Sequence, residues 1–432
     1  MPNTVLIGAQ WGDEGKGKII DVLTEKVDWV VRYQGGNNAG HTVEIGSKRY
    51  VLHLVPSGIL HSGKKCVIGN GVVVDPVALV VELKQLCEQG LDPSGRFFVS
   101  DRAHIVFPYH KLQDEFSELQ RSKNDQIGTT RRGIGPSYGD KASRFGLRMG
   151  DLLDPMFPSL LEARLQEKNR ILSALGSAPL ELAKVLVEYQ EAARYLAPFI
   201  VDTIPLLNAA VRKGEKVLFE GAQGTMLDID YGSYPFVTSS SATAGGACTG
   251  TGVPPNRIDH VIGVVKAYTT RVGEGPFPSE LKDETGELLR KTGNEFGATT
   301  GRPRRCGWFD AVVARYSVMI NGIDSWAVTK LDVLDPMETI RICVAYECDG
   351  KRVENVPANI RVLEKCRPVY EDFPGWLTST KEATRFEDLP AQAQAYVARL
   401  SELTGVPVSI LSVGPRRDST MILRDLSGRK LE

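Results

Sequence analysis

The residues with the clearest chemical potential lie in one short glycine-rich loop near the start of the chain. Residues 8–18 read GAQWGDEGKGK and place Asp13, Lys16 and Lys18 among glycines. An apolar run, residues 4–7, precedes the loop, and a segment with helical apolar spacing begins at Ile19. A loop between a strand and a helix N-terminus presents backbone N–H groups to anions. The pattern therefore predicts a phosphate site.

The loop departs from the standard phosphate-binding template at one informative position. G-x-x-x-x-G-K-[ST] fits residues 12–18, but Ile19 stands where the template has a Mg²⁺-binding hydroxyl. Asp13 could replace that hydroxyl, because a carboxylate suits a hard cation. A carboxylate among phosphates repels them because both are negatively charged, so it is expected there only if it binds a metal ion or transfers a proton. The alternative is a plain glycine turn in which Asp13 caps the helix.

A second glycine-rich loop follows the next predicted strand. Residues 28–33 form that strand, and residues 34–42 read QGGNNAGHT. His41 is one of six histidines and lies in a Gly/Asn cluster, where core packing offers little reason for an imidazole. Loops after parallel strands meet at one edge of a sheet, so the two loops are expected to share a ligand site. A purely structural histidine is the alternative.

Two further loops combine glycines with arginines. Residues 127–138, with Arg144 and Arg148 beyond them, suit a phosphate monoester through bidentate guanidinium contacts. Residues 294–305 gather Arg302, Arg304 and Arg305 within four positions, which is costly without an anionic partner. A solvated basic loop is the alternative for the first of these stretches.

The run Thr329-Lys330-Leu331-Asp332 ends another predicted strand. It resembles the [NT]KxD element of guanine-nucleotide proteins, in which the aspartate accepts hydrogen bonds from guanine N1–H and its 2-amino group. The lysine stem covers the ring. A last strand and turn, residues 405–415, could lie near the same base.

The elements around these loops predict an α/β fold with a large, mostly parallel central sheet flanked by helices, together with smaller helical and loop subdomains. Strand-like runs occur at residues 50–55, 66–71, 217–220 and 326–332. Apolar spacing predicts helices at residues 77–88 and across residues 159–213. We expect a helical insertion at about residues 100–213 within the α/β body.

Composition narrows the class of protein. The 432 residues are 42% hydrophobic and 24% charged with a net charge of −1, which is ordinary for a globular protein and marks neither a nucleic-acid nor a membrane partner. No apolar run approaches the roughly 20 residues of a membrane span. Seven cysteines without a C-x-x-C pair suggest neither disulfides nor a zinc site. This cysteine usage predicts a reducing cytoplasm, and the N-terminus shows no leader-like pattern.

These loops together resemble the adenylosuccinate synthetase family, from about residue 4 to residue 425. The stretches that carry the resemblance, in family order, are GAQWGDEGKGKI, RYQGGNNAGHT, IGTTRRGIGPSY, FEGAQGTMLDID, NEFGATTGRPRR and TKLDVLD. The resemblance implies one α/β domain over residues 1–432 that acts as a homodimer. It also implies ligation of IMP and L-aspartate with GTP and one Mg²⁺ per subunit, the first committed step from IMP to AMP.

The resemblance also implies a mechanism. Asp13 would take the N1 proton of IMP and ligate Mg²⁺, and His41 would act as general acid while GTP phosphorylates the 6-oxygen of IMP. Gly40 would offer its carbonyl to the metal, and Lys16 and Arg304 would hold charge near the moving phosphoryl group. The amine of aspartate would then displace phosphate from 6-phosphoryl-IMP.

The same resemblance assigns binding residues. GTP would be held by Gly12, Asp13, Glu14, Gly15, Lys16, Gly17, Lys18, Gly40, His41, Thr42, Arg304, Lys330, Leu331, Asp332, Ser412, Val413 and Gly414. IMP would be held by Asp13, Glu14, Gly15, Lys16, Asn38, Ala39, Gly40, His41, Thr130, Gln223, Thr238, Arg302, and Arg144 of the other subunit. Aspartate would be held by Ala298, Thr299, Thr300, Gly301, Arg302, Pro303 and Arg304.

Two positions differ from the usual family pattern, and two rival functions stay open. Arg131 stands where glycine is usual and Pro303 where arginine is usual, so loop mobility could differ. A guanine-nucleotide switch would explain the first loop and Asp332, but not residues 294–305. A different nucleotide-dependent amide or C–N ligase is the second rival.

Overall fold

The structure is a computed structural model that describes residues 2–38, 40–45, 48–122, 126–297 and 301–425. Its strands are β1 (Thr4–Gly8), β2 (Trp29–Arg32), β3 (His41–Ile45), β4 (Lys48–Leu52), β5 (Lys65–Ile68), β6 (Val73–Val74), β7 (Phe97–Ser100), β8 (His104–Ile105), β9 (Ile200–Val201), β10 (Val217–Glu220), β11 (His260–Lys266), β12 (Thr269–Arg271), β13 (Arg305–Gly307), β14 (Phe309–Asp310), β15 (Ser325–Thr329), β16 (Thr339–Cys348), β17 (Lys351–Val353), β18 (Arg367–Pro374), β19 (Val408–Ser412) and β20 (Thr420–Ile422).

Its α-helices are α1 (Lys16–Thr24), α2 (Pro76–Glu88), α3 (Pro108–Gln120), α4 (Ile134–Ser143), α5 (Phe157–Ala174), α6 (Leu182–Leu196), α7 (Thr203–Arg212), α8 (Gly245–Thr251), α9 (Glu284–Thr292), α10 (Ala311–Asn321), α11 (Ile360–Lys365) and α12 (Ala391–Thr404).

A ten-stranded sheet forms the centre of the molecule. Its strand order is β20-β19-β15-β11-β1-β10-β2-β5-β7-β9, and only the β19–β20 pair is antiparallel. Every residue of β1 is buried, as expected for a strand with parallel neighbours and covered faces. The expected α/β fold with a large, mostly parallel sheet is confirmed.

Successive side chains of β1 enter two separate cores, because side chains alternate between the faces of a strand. Val5 and Ile7 belong to one core, which also holds side chains of α7, α10 and α12. Leu6 belongs to the other, with side chains of α1, α2, α5 and α6. Both faces of the sheet are therefore covered by helices, which leaves the strand ends as the accessible part.

Three sequence predictions need refinement. The helical region expected at residues 159–213 is interrupted by β9, which pairs with β7 and forms the edge of the central sheet. The strand expected at residues 50–55 is β4, which pairs with β3 in a separate hairpin. The strand expected at residues 326–332 ends at Thr329 and gives way to a short 3-10 helix, Leu331–Leu334. In the described part of the chain, no helix is both long and apolar enough to cross a membrane.

Candidate active site

The first glycine-rich loop connects β1 to α1 through left-handed backbone conformations. Gly12, Asp13 and Gly15 have φ of 82°, 59° and 89°. Helix α1 begins at Lys16, its N-cap residue is Gly15, and no side chain caps it. The alternative in which Asp13 merely caps the helix is therefore wrong, and its left-handed backbone needs another explanation.

Glu14 is the internal anchor of this loop. Its buried Oε1 accepts hydrogen bonds from the backbone N–H groups of Gln10 at 3.0 Å and Gly12 at 2.9 Å. Its Oε2 lies 2.5 Å from Nζ of Lys16, which is itself buried. The carboxylate fixes the shape of the loop and holds the Lys16 ammonium inside it.

Asp13 pairs with an arginine that lies 291 positions later in the chain. Nε of Arg304 donates to Oδ2 of Asp13 at 2.7 Å, while 41% of the Asp13 side chain stays exposed. Desolvation by the cleft walls works to raise the pKa of Asp13. The charges of Arg304, Lys266 and Lys16 outweigh that effect and hold the pKa below its usual value. Asp13 is thus an accessible, ionised carboxylate at neutral pH.

Behind this pair lies a buried carboxylate to which the sequence had assigned no role. Glu295 is fully buried and accepts from Nζ of Lys266 at 2.8 Å, Nζ of Lys330 at 2.7 Å and Nη1 of Arg304 at 2.8 Å. The hydroxyl of Tyr268 also donates to it. Burial works to raise the pKa of Glu295, but the three cations hold it far below its usual value.

A cleft of about 740 Å³ opens at this edge of the sheet, a volume typical of small-molecule sites. Of the residues predicted to bind substrates, those lining it are Gly12, Asp13, Gly15, Lys16, Gly17, Lys18, Asn38, Gly40, Thr130, Gln223, Thr238, Arg304 and Lys330. The two glycine-rich loops after β1 and β2 therefore share one cleft, as their positions in the sequence predicted.

Two side chains predicted to bind IMP carry unmatched acceptors. Oδ1 of Asn38 and Oε1 of Gln223 are buried and have no hydrogen-bond partner among the described residues. Gln223 also has a left-handed backbone, with φ of 57°. Buried acceptors without partners are uncommon, and in a cleft they favour a ligand that donates to them.

The predicted guanine residues lie beside the first loop. Nζ of Lys18 donates to Oγ of Ser412 and to the carbonyl oxygen of Gly414, both at 2.5 Å, and burial lowers the pKa of Lys18 to about 8. Val413 and Leu331 are buried. Asp332 is half-buried in the 3-10 helix after β15, and burial raises its pKa.

An arginine near the end of the described chain holds the 412–414 turn against α1. Arg417 donates to both carboxylate oxygens of Asp21 at 2.8 Å each. Ser419, two residues later, accepts from Nζ of Lys18 at 3.3 Å through its carbonyl oxygen. The segment between the last two described strands is thus bound to α1 through Asp21 and to the phosphate loop through Lys18.

Some predicted residues lie outside the cleft or outside the described residues. Arg144 is exposed at the C-terminal end of α4, and Arg302 and Pro303 are exposed; none of the three lines the cleft. Gly301 has φ of 64°. His41 and Thr42 belong to β3, but their side chains lie outside the described part. Ala39, Ala298, Thr299 and Thr300 lie outside the described residues.

Helix α3 contributes carboxylates to the cleft wall that sequence reasoning missed. Asp114 accepts from the N–H of Gly133 at 3.0 Å, and Glu118 accepts from the N–H of Gly128 at 2.6 Å. These bonds grip the glycine- and threonine-containing loop at both ends. The spacing of the two acids on one helical face was the available signal.

This arrangement defines a class: an α/β enzyme with a phosphate loop, a cationic cleft and an adjoining base-binding turn. The family model described as adenylosuccinate synthetase matches residues 5–421. Adenylosuccinate synthetase from Trichlorobacter lovleyi is 54% identical over 99% of this chain and 100% of its own length. That from Desulforamulus reducens is 55% identical over 99% and 100%. The chain belongs to the adenylosuccinate synthetase family.

A solved structure agrees with the sequence relatives. The fully ligated adenylosuccinate synthetase from Plasmodium falciparum superposes with a TM-score of 0.93 and 39% identity, covering 98% of this chain and 100% of that one. The chain is therefore a ligase of AMP biosynthesis that joins IMP to L-aspartate with GTP as co-substrate. A switch without ligase chemistry and a different C–N ligase are both excluded.

Proposed function

We propose that the reaction in this chain proceeds through 6-phosphoryl-IMP, with Asp13 as base at N1 of IMP and His41 as general acid. The γ-phosphoryl group of GTP moves to the 6-oxygen of IMP and GDP leaves. The amine of aspartate then attacks C6, and phosphate departs with the oxygen to give adenylosuccinate.

One observation carries this proposal: Asp13 presents an ionised carboxylate in the cleft, at the N-terminal end of α1. Its hydrogen bond to Arg304 uses only Oδ2. A base must be deprotonated before it acts, and the lowered pKa of Asp13 meets that requirement at neutral pH. Lys16 and Arg304, within the same cleft, supply positive charge where the phosphoryl group would move.

The positions of several residues in the cleft support the proposed binding roles. Asn38, Gln223, Thr130 and Thr238 would hold IMP, with the two unmatched acceptors as supporting evidence. Lys330 and Asp332, with Ser412, Val413 and Gly414, would hold guanine. The aspartate loop, residues 298–304, stays a prediction, supported by Arg304 and by Gly297 in the cleft wall.

The residues around Asp13 fit a Mg²⁺ ion. Asp13 is an exposed carboxylate in the cleft, and Gly40, whose carbonyl is the second proposed ligand, lines the same space. Across the described ranges, no group of three or more His, Cys, Asp or Glu side chains could hold a metal. A site with few protein ligands suits Mg²⁺, which keeps waters and binds substrate phosphates. When bound, the ion would neutralise phosphate charge during transfer.

Three further features belong to the proposal. The chain would act as a homodimer in which Arg144 reaches the IMP phosphate of the neighbouring subunit. The exposed position of Arg144, away from its own cleft, supports this arrangement. We also propose a cytoplasmic location and a single domain over residues 1–432, with the helices at about residues 100–213 as an insertion.

The substitution Asp13→Asn tests the base. It preserves size but removes the negative charge, and general base catalysis is worth roughly 10²–10⁴-fold, so kcat should fall at least that far. Steady-state phosphate release with saturating IMP, aspartate, GTP and Mg²⁺ measures the loss. The matched control is Asp230→Asn, an exposed carboxylate elsewhere, which should keep kcat. An Asp13→Asn enzyme that retains more than about a tenth of wild-type kcat would remove Asp13 from the mechanism.

A further inference from the structure

Glu295 joins side chains that belong to different parts of the cleft. Its two carboxylate oxygens receive Arg304 from the phosphoryl side, Lys330 from the guanine side and Lys266 from β11. Arg304 extends further to Asp13, and Lys330 also donates to the carbonyl oxygen of Gly293 at 2.5 Å. The buried carboxylate of Glu295 therefore lies between Asp13, the proposed general base, and the turn proposed to bind guanine.

The burial of Glu295 excludes direct contact with a substrate. The residue has no exposed surface, and it does not line the cleft, whereas Arg304 and Lys330 do. Any effect of this carboxylate on the reaction must therefore act through the side chains that it holds.

The Glu295 carboxylate offsets the repulsion among three neighbouring cations. Arg304, Lys330 and Lys266 converge within hydrogen-bond distance of one group, and like charges so close repel strongly in a weakly screened environment. An ionised acceptor between them converts that repulsion into three charge-assisted hydrogen bonds. Without it, Arg304 and Lys330 would separate toward solvent, since both reach the cleft.

We propose that Glu295 is a positioning residue for the ligase reaction: it fixes the spacing between the guanidinium of Arg304 and the ammonium of Lys330. GTP would then meet its phosphoryl-side and guanine-side cations already in place. This inference rests on the roles proposed above for Arg304 and Lys330.

The test compares Glu295→Gln with the double variant Lys266→Met/Glu295→Gln. Glu295→Gln alone leaves the buried Lys266 without a counter-charge and removes the carboxylate that Arg304 and Lys330 share, so it should lower Tm and activity together. The double variant removes the most buried cation as well, and replacing a buried ion pair by neutral groups of similar size is often tolerated. Its Tm should recover toward that of the wild type.

Activity then separates the two possible roles. If Glu295 positions Arg304 and Lys330, the double variant should keep its recovered Tm but show about a tenfold or larger loss of kcat/KM for GTP, the scale of a lost charge-assisted hydrogen bond. KM for IMP should change little. Recovery of kcat/KM for GTP along with Tm would show a purely structural role and overturn the proposal.

A further variant keeps the test decisive if the double variant does not fold. Glu295→Asp retains the charge but shortens the side chain, so it should fold and still lower kcat/KM for GTP. An unchanged value would overturn the proposal. The matched control is Glu82→Gln, another buried carboxylate, on α2 and outside the cleft lining. It should change Tm without a selective change in KM for GTP.

Two further variants test the roles of Arg304 and Lys330 separately from the positioning role of Glu295. Arg304→Leu and Lys330→Gln should each reduce kcat/KM for GTP if their proposed roles are correct. Full activity in both would reject those roles. Losses in both, with full activity in the Glu295 variants, would reject the positioning role alone.

Discussion

Asp332 is the side chain proposed above to select guanine among the purine bases. Guanine presents N1–H and the 2-amino group as donors, and one carboxylate can accept from both. Asp332 lies half-buried beside Lys330, in the turn that follows β15. Burial raises the pKa of this carboxyl, so pairing with two donors would favour its ionised form when GTP binds.

Asp332→Asn should weaken use of GTP and improve use of XTP. The substitution places an NH₂ donor opposite the 2-amino group of guanine, whereas xanthine has an acceptor oxygen there. We expect kcat/KM for GTP to fall at least about tenfold, equivalent to 1.4 kcal/mol, and that for XTP to rise. Asp335→Asn is the matched control, because Asp335 instead binds Nε1 of Trp376 and Thr380. An unchanged GTP-to-XTP ratio in Asp332→Asn would reject base reading.

The position of a single residue in the cleft was predictable from sequence only where a motif carried that residue. Asp13, Lys16 and Lys330 stand in recognisable loops, and the structure places them in one cleft. Glu295 stood in a recognised stretch as well, but its partners Lys266 and Lys330 are 29 and 35 positions away in the chain. The contacts of Glu295 form only in the tertiary structure, so the spacing of residues within a short motif does not predict them.

At the scale of elements, α3 acts as a brace for the loop at residues 127–133. Asp114 and Glu118 accept backbone N–H groups at the two ends of that loop, which carries Thr130. Gly133 has φ of 74°, and a side chain there would meet the backbone of Lys111 at 2.7 Å. The loop is therefore held closely against α3, and the helix determines where Thr130 lies.

Glu118→Gln should loosen this brace and weaken IMP binding. The amide keeps an acceptor oxygen but loses the charge that strengthens the hydrogen bond from Gly128. Because the loop that carries Thr130 is then held less firmly, we expect KM for IMP to rise by up to about tenfold. KM for GTP should stay the same. Glu115→Gln, on the same helix, alters only an exposed pair with Arg131 at 3.5 Å and should leave both constants unchanged. Equal effects of the two variants would contradict the bracing role.

The sequence predicted the central strands better than their neighbours. β10 coincides with the expected residues 217–220, and α2 lies within one residue of the expected helix. β9 was missed because two residues between long helical stretches carry no alternation. The partner of β4 was not predictable, because pairing with β3 rather than with the central sheet depends on the tertiary fold.

At the scale of the whole molecule, the exposed Arg144 lies apart from the cleft of its own chain. The Arg144 side chain starts from a left-handed residue, φ 63°, at the exposed end of α4. Its own cleft is lined by other residues of the 127–136 region. We propose that this guanidinium binds the IMP phosphate in the cleft of a second subunit.

Mixing two impaired variants tests whether Arg144 acts in the active site of the neighbouring subunit. Arg144→Leu should raise KM for IMP, and Asp13→Asn should lack the base. In a mixed dimer, the subunit with an intact Asp13 receives an intact Arg144 from its partner, so activity should reappear after subunit exchange. The control mixes Asp13→Asn with the double variant Asp13→Asn/Arg144→Leu, which offers no complete site. No recovery after demonstrated exchange would assign Arg144 to its own subunit.

The central place of β1 has a consequence for how the protein is made. Thr4 pairs with Leu218 on one side and with His260 on the other, so β1 must wait for two neighbours that are synthesised much later. The turn at residues 412–414, bound to Lys18, is synthesised later still. During translation the phosphate loop therefore exists without the sheet that shapes it, and a newly made apolar strand stays exposed meanwhile. Lys18 and Ser412 are 394 positions apart, so the phosphate loop reaches its final shape only after the turn that contacts it has been made.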